Sequence, residues 1–258
     1  MKNNTLLKAL KLFGLLVLLV AVWQLLYFIM VERAAVWKPY VFPSPLGVLS
    51  SFSKLIKNGT LLAGIGQTMR RIGIGYGISI LIGVLLGMLL ARFKALSELF
   101  KPLVLGIQTL PSICWVPFAI LWYGLAESAT IFIVVIGSAF SICIAVETGI
   151  RDINPIYIRA AKTMGAKGIA LYTKVILPAS VPSLVGALKQ GWSFAWRALM
   201  TGEMMISSRG IGLMLSQARE IGGINEVTAV MLVIVFISIL VDKLIFGLIE
   251  KRALKWAA

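Results

Sequence analysis

Apolar runs of about 20 residues, separated by short polar connections, constrain this chain more than any other feature. A helix needs about 20 apolar residues to cross the hydrocarbon core of a bilayer. Hydrophobic residues make up 59% of the chain, against about 45–50% in soluble domains. We therefore predict an all-α, polytopic membrane bundle of about six transmembrane helices, in one domain over residues 1–258. The predicted spans are 12–31, 72–91, 102–123, 129–149, 182–206 and 227–249.

Positive charge is concentrated in the connections on one side of these spans. The formal net charge is +15, from 25 Lys and Arg against 10 Asp and Glu. If the N-terminus is cytoplasmic, most of the Lys and Arg fall in cytoplasmic segments, as the positive-inside rule requires. We therefore expect a multi-pass protein of the cell membrane, with both termini and the polar segment 150–179 in the cytoplasm. Because no basic patch with interleaved aromatics occurs outside the spans, no nucleic acid partner is expected.

The residue types that usually carry catalysis or bind metals are scarce. The sequence contains no His, which removes the usual transition-metal ligand and proton shuttle. Cys114 and Cys143 both lie in apolar runs, so we expect packing residues rather than a disulfide. Without a nucleophile constellation or clustered carboxylates, we predict no catalytic site, no metal site and no cofactor on this chain.

The third apolar run contains Pro111 and Pro117, and we predict that its helix is kinked or broken there. A proline inside a helix removes a backbone hydrogen bond and clashes with the preceding turn. Irregular backbone within a membrane must face protein or a water-filled cavity. Gln108 and Trp115 lie near the break and are candidates for lining a translocation pathway. A packed kink without substrate contact is the alternative.

A polar stripe follows one face of the fifth span, at Lys189, Ser193, Arg197 and Thr201. Residues four positions apart share a helical face, and charges within a span tend to face water or a bundle interior. We predict that the stripe borders the pathway. Glu203 points elsewhere on the same helix and either pairs with a cation of another span or helps to close the route. The alternative for the two cations is extension toward opposite membrane surfaces.

Small residues recur at every fourth position of the second span, at Gly75, Ser79, Gly83 and Gly87. That spacing places them on one helical face. In lipid, such a face lets another helix approach closely. We therefore predict close helix packing there.

The polar segment 150–179 is predicted to contain two short helices. Asn154 and Pro155 form a good helix start, because Asn caps free backbone N–H groups and Pro suits the first turn. Gly165 is a good stop, because glycine adopts the left-handed conformation after the last turn. A second helix over about residues 169–176 leads to Pro178. By themselves, these features also fit an amphipathic segment among lipid headgroups.

The spacing within this segment resembles that of a known family. Residues 159–165 read Arg-Ala-Ala-Lys-Thr-Met-Gly and are followed by Leu177-Pro178. This pattern resembles the cytoplasmic "EAA" loop of binding-protein-dependent ABC importer permeases. Arg159 stands where the general motif has Glu, so a salt bridge made by that Glu is not carried over.

Further motifs resemble the taurine, sulfonate, nitrate and bicarbonate branch of these permeases. The resemblance covers essentially residues 40–250. The motifs are Pro43-Ser44-Pro45, Leu110-Pro111, Trp115-Val116-Pro117, Trp122-Tyr123-Gly124, Trp196-Arg197 and Gly202-Glu203.

This resemblance implies a type I ABC importer (MetI-like) permease fold with a cytoplasmic coupling helix that docks onto an ATPase. The residues that it assigns to ATPase coupling are Arg159, Ala160, Ala161, Lys162, Met164, Gly165, Leu177 and Pro178. The implied partners are two ABC ATPase subunits, which bind ATP and Mg, a second copy of the permease, an extracytoplasmic solute-binding protein and membrane lipid. The sequence contains no Gly-rich nucleotide-binding loop, which agrees with ATP hydrolysis on another chain.

The resemblance also implies that the chain translocates a small solute across the cell membrane. Anions such as taurine or another alkanesulfonate, nitrate or bicarbonate are the first expectation. A vitamin precursor or other non-anionic solute is the alternative within the same family. An ion-coupled secondary transporter belongs to another class and predicts ionisable residues deep in several spans and an internal repeat. The charged residues here lie mostly toward span ends, and no repeat is visible.

Overall fold

The computed structural model describes residues 2–254, and every regular element among them is helical. The helices are α1 (Lys2–Tyr27), α2 (Pro45–Lys57), α3 (Thr60–Arg92), α4 (Lys94–Thr109), α5 (Val116–Tyr123), α6 (Glu127–Arg151), α7 (Pro155–Thr163), α8 (Gly168–Leu171), α9 (Leu177–Met205), α10 (Ile211–Glu220), α11 (Ile224–Val241) and α12 (Gly247–Leu254). Turns of π-helix extend α1, α8 and α11, at Phe28–Arg33, Tyr172–Ile176 and Asp242–Phe246.

Five helical stretches are long and apolar enough to cross a membrane. The bent pair of α4 and α5 makes a sixth if the two form one span. The prediction of an all-α bundle with about six spans is confirmed.

One compact unit consists of residues 2–63 and Met214–Ile234. Its short helix α2 begins after Ser44, whose hydroxyl accepts a hydrogen bond from the backbone N–H of Gly47 at 3.0 Å. Such a cap satisfies one of the backbone donors that a helix start leaves free. Ser44 therefore fixes the start of α2.

The other unit consists of Gly64–Leu213 and residues 235–254. Within it, α6 and α9 pack extensively against each other, and the glycine face of α3 lies against α6. A Cβ added to Gly87 would lie 2.6 Å from the Cys143 carbonyl oxygen. An approach that close requires the absence of a Cβ, so the predicted close packing of this face is confirmed.

The helical segments on either side of Leu110 and Pro111 are bent by 97°. Leu110 is extended, at φ −67° and ψ 125°, which is the conformation that a residue before proline favours. Pro111 lacks the N–H group that would continue the helix. Pro117 lies in the first turn of α5, where proline is tolerated. The predicted broken third span is confirmed, with the break at Leu110 and Pro111.

The helix that contains the predicted second span extends beyond it. Helix α3 starts at Thr60, well before residue 72, and includes Arg70 and Arg71. Arg71 is only 3% exposed, and it pairs with two carboxylates, Glu127 and Glu203. These partners compensate a charge that is buried within the helix.

One helix joins the end of the polar segment to the fifth span. The helix is continuous from Gly168 to Met205, through the π-helical turn Tyr172–Ile176. Pro178 follows that turn and lies in the first turn of α9, where a missing N–H group is tolerated.

Candidate functional site

Helix α7 has the start and stop that its sequence predicts. The Asn154 Oδ1 accepts a hydrogen bond from the Ile156 N–H at 3.0 Å. Gly165 has φ +87°, and the Ala166 N–H donates back to the Ala161 carbonyl at 2.9 Å. This arrangement closes the end of a helix, and it fixes the direction in which the chain leaves α7.

Most residues that the resemblance assigns to ATPase coupling are exposed. The exposed members are Arg159, Ala160, Lys162, Met164, Gly165, Leu177 and Pro178. Ala161 is buried and holds α7 against the rest of its unit. Met164 is 86% exposed and Ile169, at the start of α8, is 82% exposed. Large apolar side chains and cations together form a surface of the kind that partner proteins bind.

A buried carboxylate lies near the end of α6 that precedes this segment. Glu147 is 0% exposed, and its oxygens lie 2.6 Å from the Lys101 Nζ and 2.7 Å from the Arg151 Nε. The Ser97 hydroxyl donates to it at 3.0 Å. These contacts fix α4 to α6 where the chain turns toward α7. Sequence reasoning did not identify this cluster; the available signal was the Glu and Arg four residues apart on α6.

A cavity of about 350 Å³, the upper cavity, lies beside the broken third span. Four predicted pathway residues line it: Gln108, Trp115, Arg197 and Thr201. The other lining residues are Ile107, Thr109, Leu110, Pro111, Ser112, Ile113, Ile136, Gly137 and Phe194. The irregular backbone therefore faces a cavity, where a membrane tolerates it. Among the described residues, this lining contains one cation and no carboxylate.

The guanidinium of Arg197 is oriented by α9 itself. Its Nε donates to the Ser193 carbonyl at 3.2 Å, and its central carbon lies 4.5 Å from the centre of the Phe194 ring. Among the side chains that the structure describes, none forms a hydrogen bond with its two terminal nitrogens, and no carboxylate pairs with it. A cation in that position within a span requires water or an anion.

A second cavity of about 400 Å³, the lower cavity, shares Gln108 with the first. Its lining includes Ser141, Asp152 and Gln190. The Gln108 Oε1 and the Ser141 Oγ are buried, and neither has a hydrogen-bond partner among the described residues. Buried polar atoms nearly always have partners, so water or a ligand is expected here. Ser141 was not identified from the sequence, because one serine in an apolar run has no distinctive pattern.

Three predicted pathway residues line neither cavity. Lys189 pairs with Asp242, its Nζ lying 3.1 Å from a carboxylate oxygen. Ser193 is exposed, and its hydroxyl donates to the Lys189 carbonyl at 3.3 Å. Glu203 is fully buried. Of the polar stripe on α9, the structure brings only Arg197 and Thr201 to a cavity.

Glu203 belongs to a buried cluster with Arg71. The two side chains are 0% and 3% exposed, and a terminal nitrogen of Arg71 lies 2.9 Å from a Glu203 oxygen. The Thr68 hydroxyl and the Gly212 N–H also donate to this carboxylate, each at 2.9 Å. Arg71 contacts Glu127 as well, at 3.2 Å. The cluster joins α3, α6, α9 and α10, so the expectation that Glu203 pairs with a cation of another span is confirmed.

Comparisons with a family model and with individual proteins point to the same family of membrane transport components. The family described as "Binding-protein-dependent transport system inner membrane component" matches residues 79–253. A putative aliphatic sulfonates transport permease protein of Bacillus subtilis (strain 168) is 29% identical over 243 residues, covering 92% of this chain and 84% of that protein. Its counterpart of the same description in Escherichia coli (strain K12) is 30% identical over 239 residues, covering 92% and 88%.

The fold is similar to that of a solved structure, the MetNI methionine ABC transporter in inward-facing conformations. The TM-score is 0.66 at 22% identity, over 74% of this chain and 95% of that chain. The predicted type I, MetI-like permease fold is confirmed, as is the resemblance to the sulfonate, taurine and nitrate branch. This chain belongs to the binding-protein-dependent transport system inner membrane components, and it is a permease subunit of an ABC importer rather than an enzyme.

Proposed function

We propose that this permease carries a small organic anion of the alkanesulfonate type across the cell membrane, driven by ATP hydrolysis on two separate ABC ATPase subunits. The observation that carries the proposal is Arg197, a cation within a span that lines a cavity and, in the described chain, faces no carboxylate. The Bacillus and Escherichia relatives are both described as aliphatic sulfonate permeases, which supports the same solute class.

In this proposal the solute passes both cavities. Gln108, Trp115, Arg197 and Thr201 contact it in the upper cavity, since all four line that space. The other members of the predicted pathway set are Lys189, Ser193 and Glu203, and they stabilise α9 beside the route. Lys189 does so through Asp242, and Glu203 through the cluster that joins four helices.

The proposed contact with the ATPase is the surface around α7. Met164 and Ile169 supply exposed apolar side chains that a groove can bury, and Arg159 and Lys162 supply flanking cations. The Glu147 cluster ties α6, which leads into α7, to α4. Because α4 carries Gln108, a displacement of α7 is transmitted toward both cavities.

The proposed complex contains two copies of this chain, two ATPases that hold ATP and Mg, and one solute-binding protein outside the cell. Both termini and the connection 150–179 face the cytoplasm, as the distribution of Lys and Arg favours. Surrounding lipid covers the apolar outer face of α1, whose span is only 6% buried within the chain.

The test is reconstitution of the complete complex in liposomes, with the binding protein outside and ATP inside. We expect ATP-dependent uptake of radiolabelled ethanesulfonate, competition by other small anions, and no ATP hydrolysis by this chain alone. The matched control contains ATPase subunits whose nucleotide-loop lysine is replaced. Uptake of neutral or cationic solutes in preference to every anion would overturn the proposed solute class. Hydrolysis by the isolated chain would overturn its role as a permease subunit.

A further inference from the structure

We infer that the upper cavity is a selectivity site on the permease itself, which recognises an anionic group at Arg197 and a hydrogen-bond donor of the same solute at Gln108. The inference rests on the proposed function and deepens it. It assigns part of the solute choice to this chain, in addition to whatever the binding protein selects. Two independent observations carry it: an uncompensated guanidinium and an unpartnered amide oxygen that line the same space.

The guanidinium of Arg197 is held in one orientation and can bind two oxygen atoms of one anion. The Ser193 carbonyl holds its Nε and the Phe194 ring supports one face of the guanidinium. The two terminal nitrogens remain for a ligand. A guanidinium binds two oxygens of one anion in a bidentate manner, and such charge-assisted hydrogen bonds are stronger than neutral ones. Sulfonate and carboxylate groups both offer this geometry.

Gln108 provides the second contact. Its Oε1 is a buried acceptor without a partner in the described chain. An acceptor of this kind favours a solute that brings a hydroxyl or ammonium group, and it disfavours an otherwise identical solute without one. Water can also donate to this oxygen, and a donor on the solute then gains only the difference in free energy between its own hydrogen bond and that of the displaced water. The site therefore discriminates by the second group as well as by charge.

The remaining lining explains the size of the solute. Ile113, Trp115 and Ile136 give the cavity an apolar part of its wall. A volume of about 350 Å³ lies at the small end of the range for ligand pockets, about 300–1,000 Å³. A short-chain anion with a polar group at its far end fits these three properties. Nitrate carries the charge but has neither the apolar part nor the donor.

The lower cavity has the opposite charge character. Its described lining contains Asp152 and no Lys or Arg. An anion is therefore held in the upper cavity and repelled from the lower one until the protein changes conformation. Gln108 lies in both linings, so it is the group through which a solute leaves its first contact for the next.

The experiment measures equilibrium binding to the nucleotide-free permease–ATPase complex in lipid nanodiscs, without the binding protein. The probes are radiolabelled 2-hydroxyethanesulfonate, ethanesulfonate and nitrate. We expect 2-hydroxyethanesulfonate to bind about tenfold more tightly than ethanesulfonate, and nitrate to bind most weakly. Arg197→Gln should weaken both sulfonates by about tenfold or more. Gln108→Leu should abolish the preference for 2-hydroxyethanesulfonate over ethanesulfonate, because the group that accepts from the solute's hydroxyl is gone.

Lys54→Gln is the matched control, since it removes the same charge from an exposed position on α2, outside both cavity linings. Binding by Arg197→Gln equal to that by the control would overturn the site. So would equal binding of the two sulfonates by the unaltered complex, or the absence of saturable binding.

A second measurement covers the case in which Arg197→Gln does not assemble. Ile113→Cys, with Cys114 and Cys143 replaced, places a thiol in the cavity lining. 2-Hydroxyethanesulfonate should slow its reaction with an uncharged thiol reagent, and unchanged labelling would overturn the site. The failure of the proposed function has a different signature. A complex that binds the sulfonate but never imports it with ATP refutes the proposed function and retains the site. Normal import by Arg197→Gln refutes the site and retains the proposed function.

Discussion

At the scale of single residues, the pair of Arg71 and Glu203 shows how a membrane helix can bury charge. Each side chain is at most 3% exposed, and each has further partners in Thr68, Gly212 and Glu127. Removing one member of such a pair leaves the other buried without full compensation. The net contribution of such a pair to the free energy of unfolding is small, whereas the loss of stability on removing one partner is large.

We predict that Arg71→Gln and Glu203→Gln each destabilise the chain by about 3–5 kcal/mol, the range for breaking a buried pair. The double variant should lose less than the sum of the two, because it leaves no uncompensated charge. Thermal denaturation of the purified protein in detergent, followed by size-exclusion chromatography, measures both effects. Arg70→Gln is the control: Arg70 is 62% exposed and lies 3.8 Å from Glu127, so a loss of at most about 1 kcal/mol is expected. Strict additivity would show that the two charges are independent.

Gly165 allows a second prediction at this scale. Its φ of +87° is left-handed, and no atom lies within 4 Å of an added Cβ. Backbone strain alone therefore decides which substitutions it tolerates. Gly165→Val should reduce both ATPase co-purification and transport, whereas Gly165→Asn should retain most of each, since Asn adopts this conformation more readily. Normal co-purification of the Val variant would show that the backbone conformation at the end of α7 does not affect ATPase binding.

At the scale of helices, the contact between α3 and α6 depends on missing side chains. A Cβ at Gly87 would lie 2.6 Å from the Cys143 carbonyl oxygen, whereas one at Gly77 would meet nothing within 4 Å. Both glycines lie in α3, so they form a matched pair. Gly87→Ala must push the two backbones apart, and Gly77→Ala only removes a poor helix former.

We expect Gly87→Ala to destabilise the protein by about 1–3 kcal/mol, as overpacking does. Gly77→Ala should stabilise it by about 0.5–1 kcal/mol through helix propensity. The detergent melting temperature of each variant gives the comparison. Equal shifts in the two variants would mean that α3 and α6 can separate without loss.

The helices also show which features a sequence can predict. The limits of α7 were predictable because Asn154, Pro155 and Gly165 act through their immediate neighbours. The break at Pro111 was predictable for the same reason. The burial of Arg71 within α3 was not, since its partner Glu203 lies 132 residues away.

The candidate site was likewise only partly predictable from the sequence. The four-residue spacing placed Arg197 and Thr201 on one face, and both line a cavity. The spacing could not separate them from Lys189, whose partner Asp242 is on another helix. Nor could it identify Gln108 as common to two cavities, because that depends on which residues of α6 and α9 line the same spaces in three dimensions.

At the scale of the whole molecule, transport requires that the upper cavity open to different sides in turn. We predict that a cysteine at Thr201, in a background with Cys114 and Cys143 replaced, reacts with a small aqueous thiol reagent at a rate that changes when nucleotide traps the complex. A cysteine at Leu199, which is 0% exposed, is the control and should stay unreactive. Mass spectrometry of the labelled complex gives the rates. Equal protection of both positions in every state would mean that the Thr201 face is buried packing.

The unbroken helix from Gly168 to Met205 has a mechanical consequence. Its 38 residues extend about 57 Å at 1.5 Å per residue, nearly twice the hydrocarbon thickness of about 30 Å. A small tilt of this helix therefore produces a large displacement at its far end: a tilt of only 5° about its Gly168 end would move Arg197 by about 4 Å. Spin labels at Ala170 and Ser193 should then keep one separation in all nucleotide states, and a separation that changed would show that the helix bends. A stiff helix carries Arg197 and Thr201 together, so a tilt displaces both toward or away from Gln108 and Trp115, which lie on other elements.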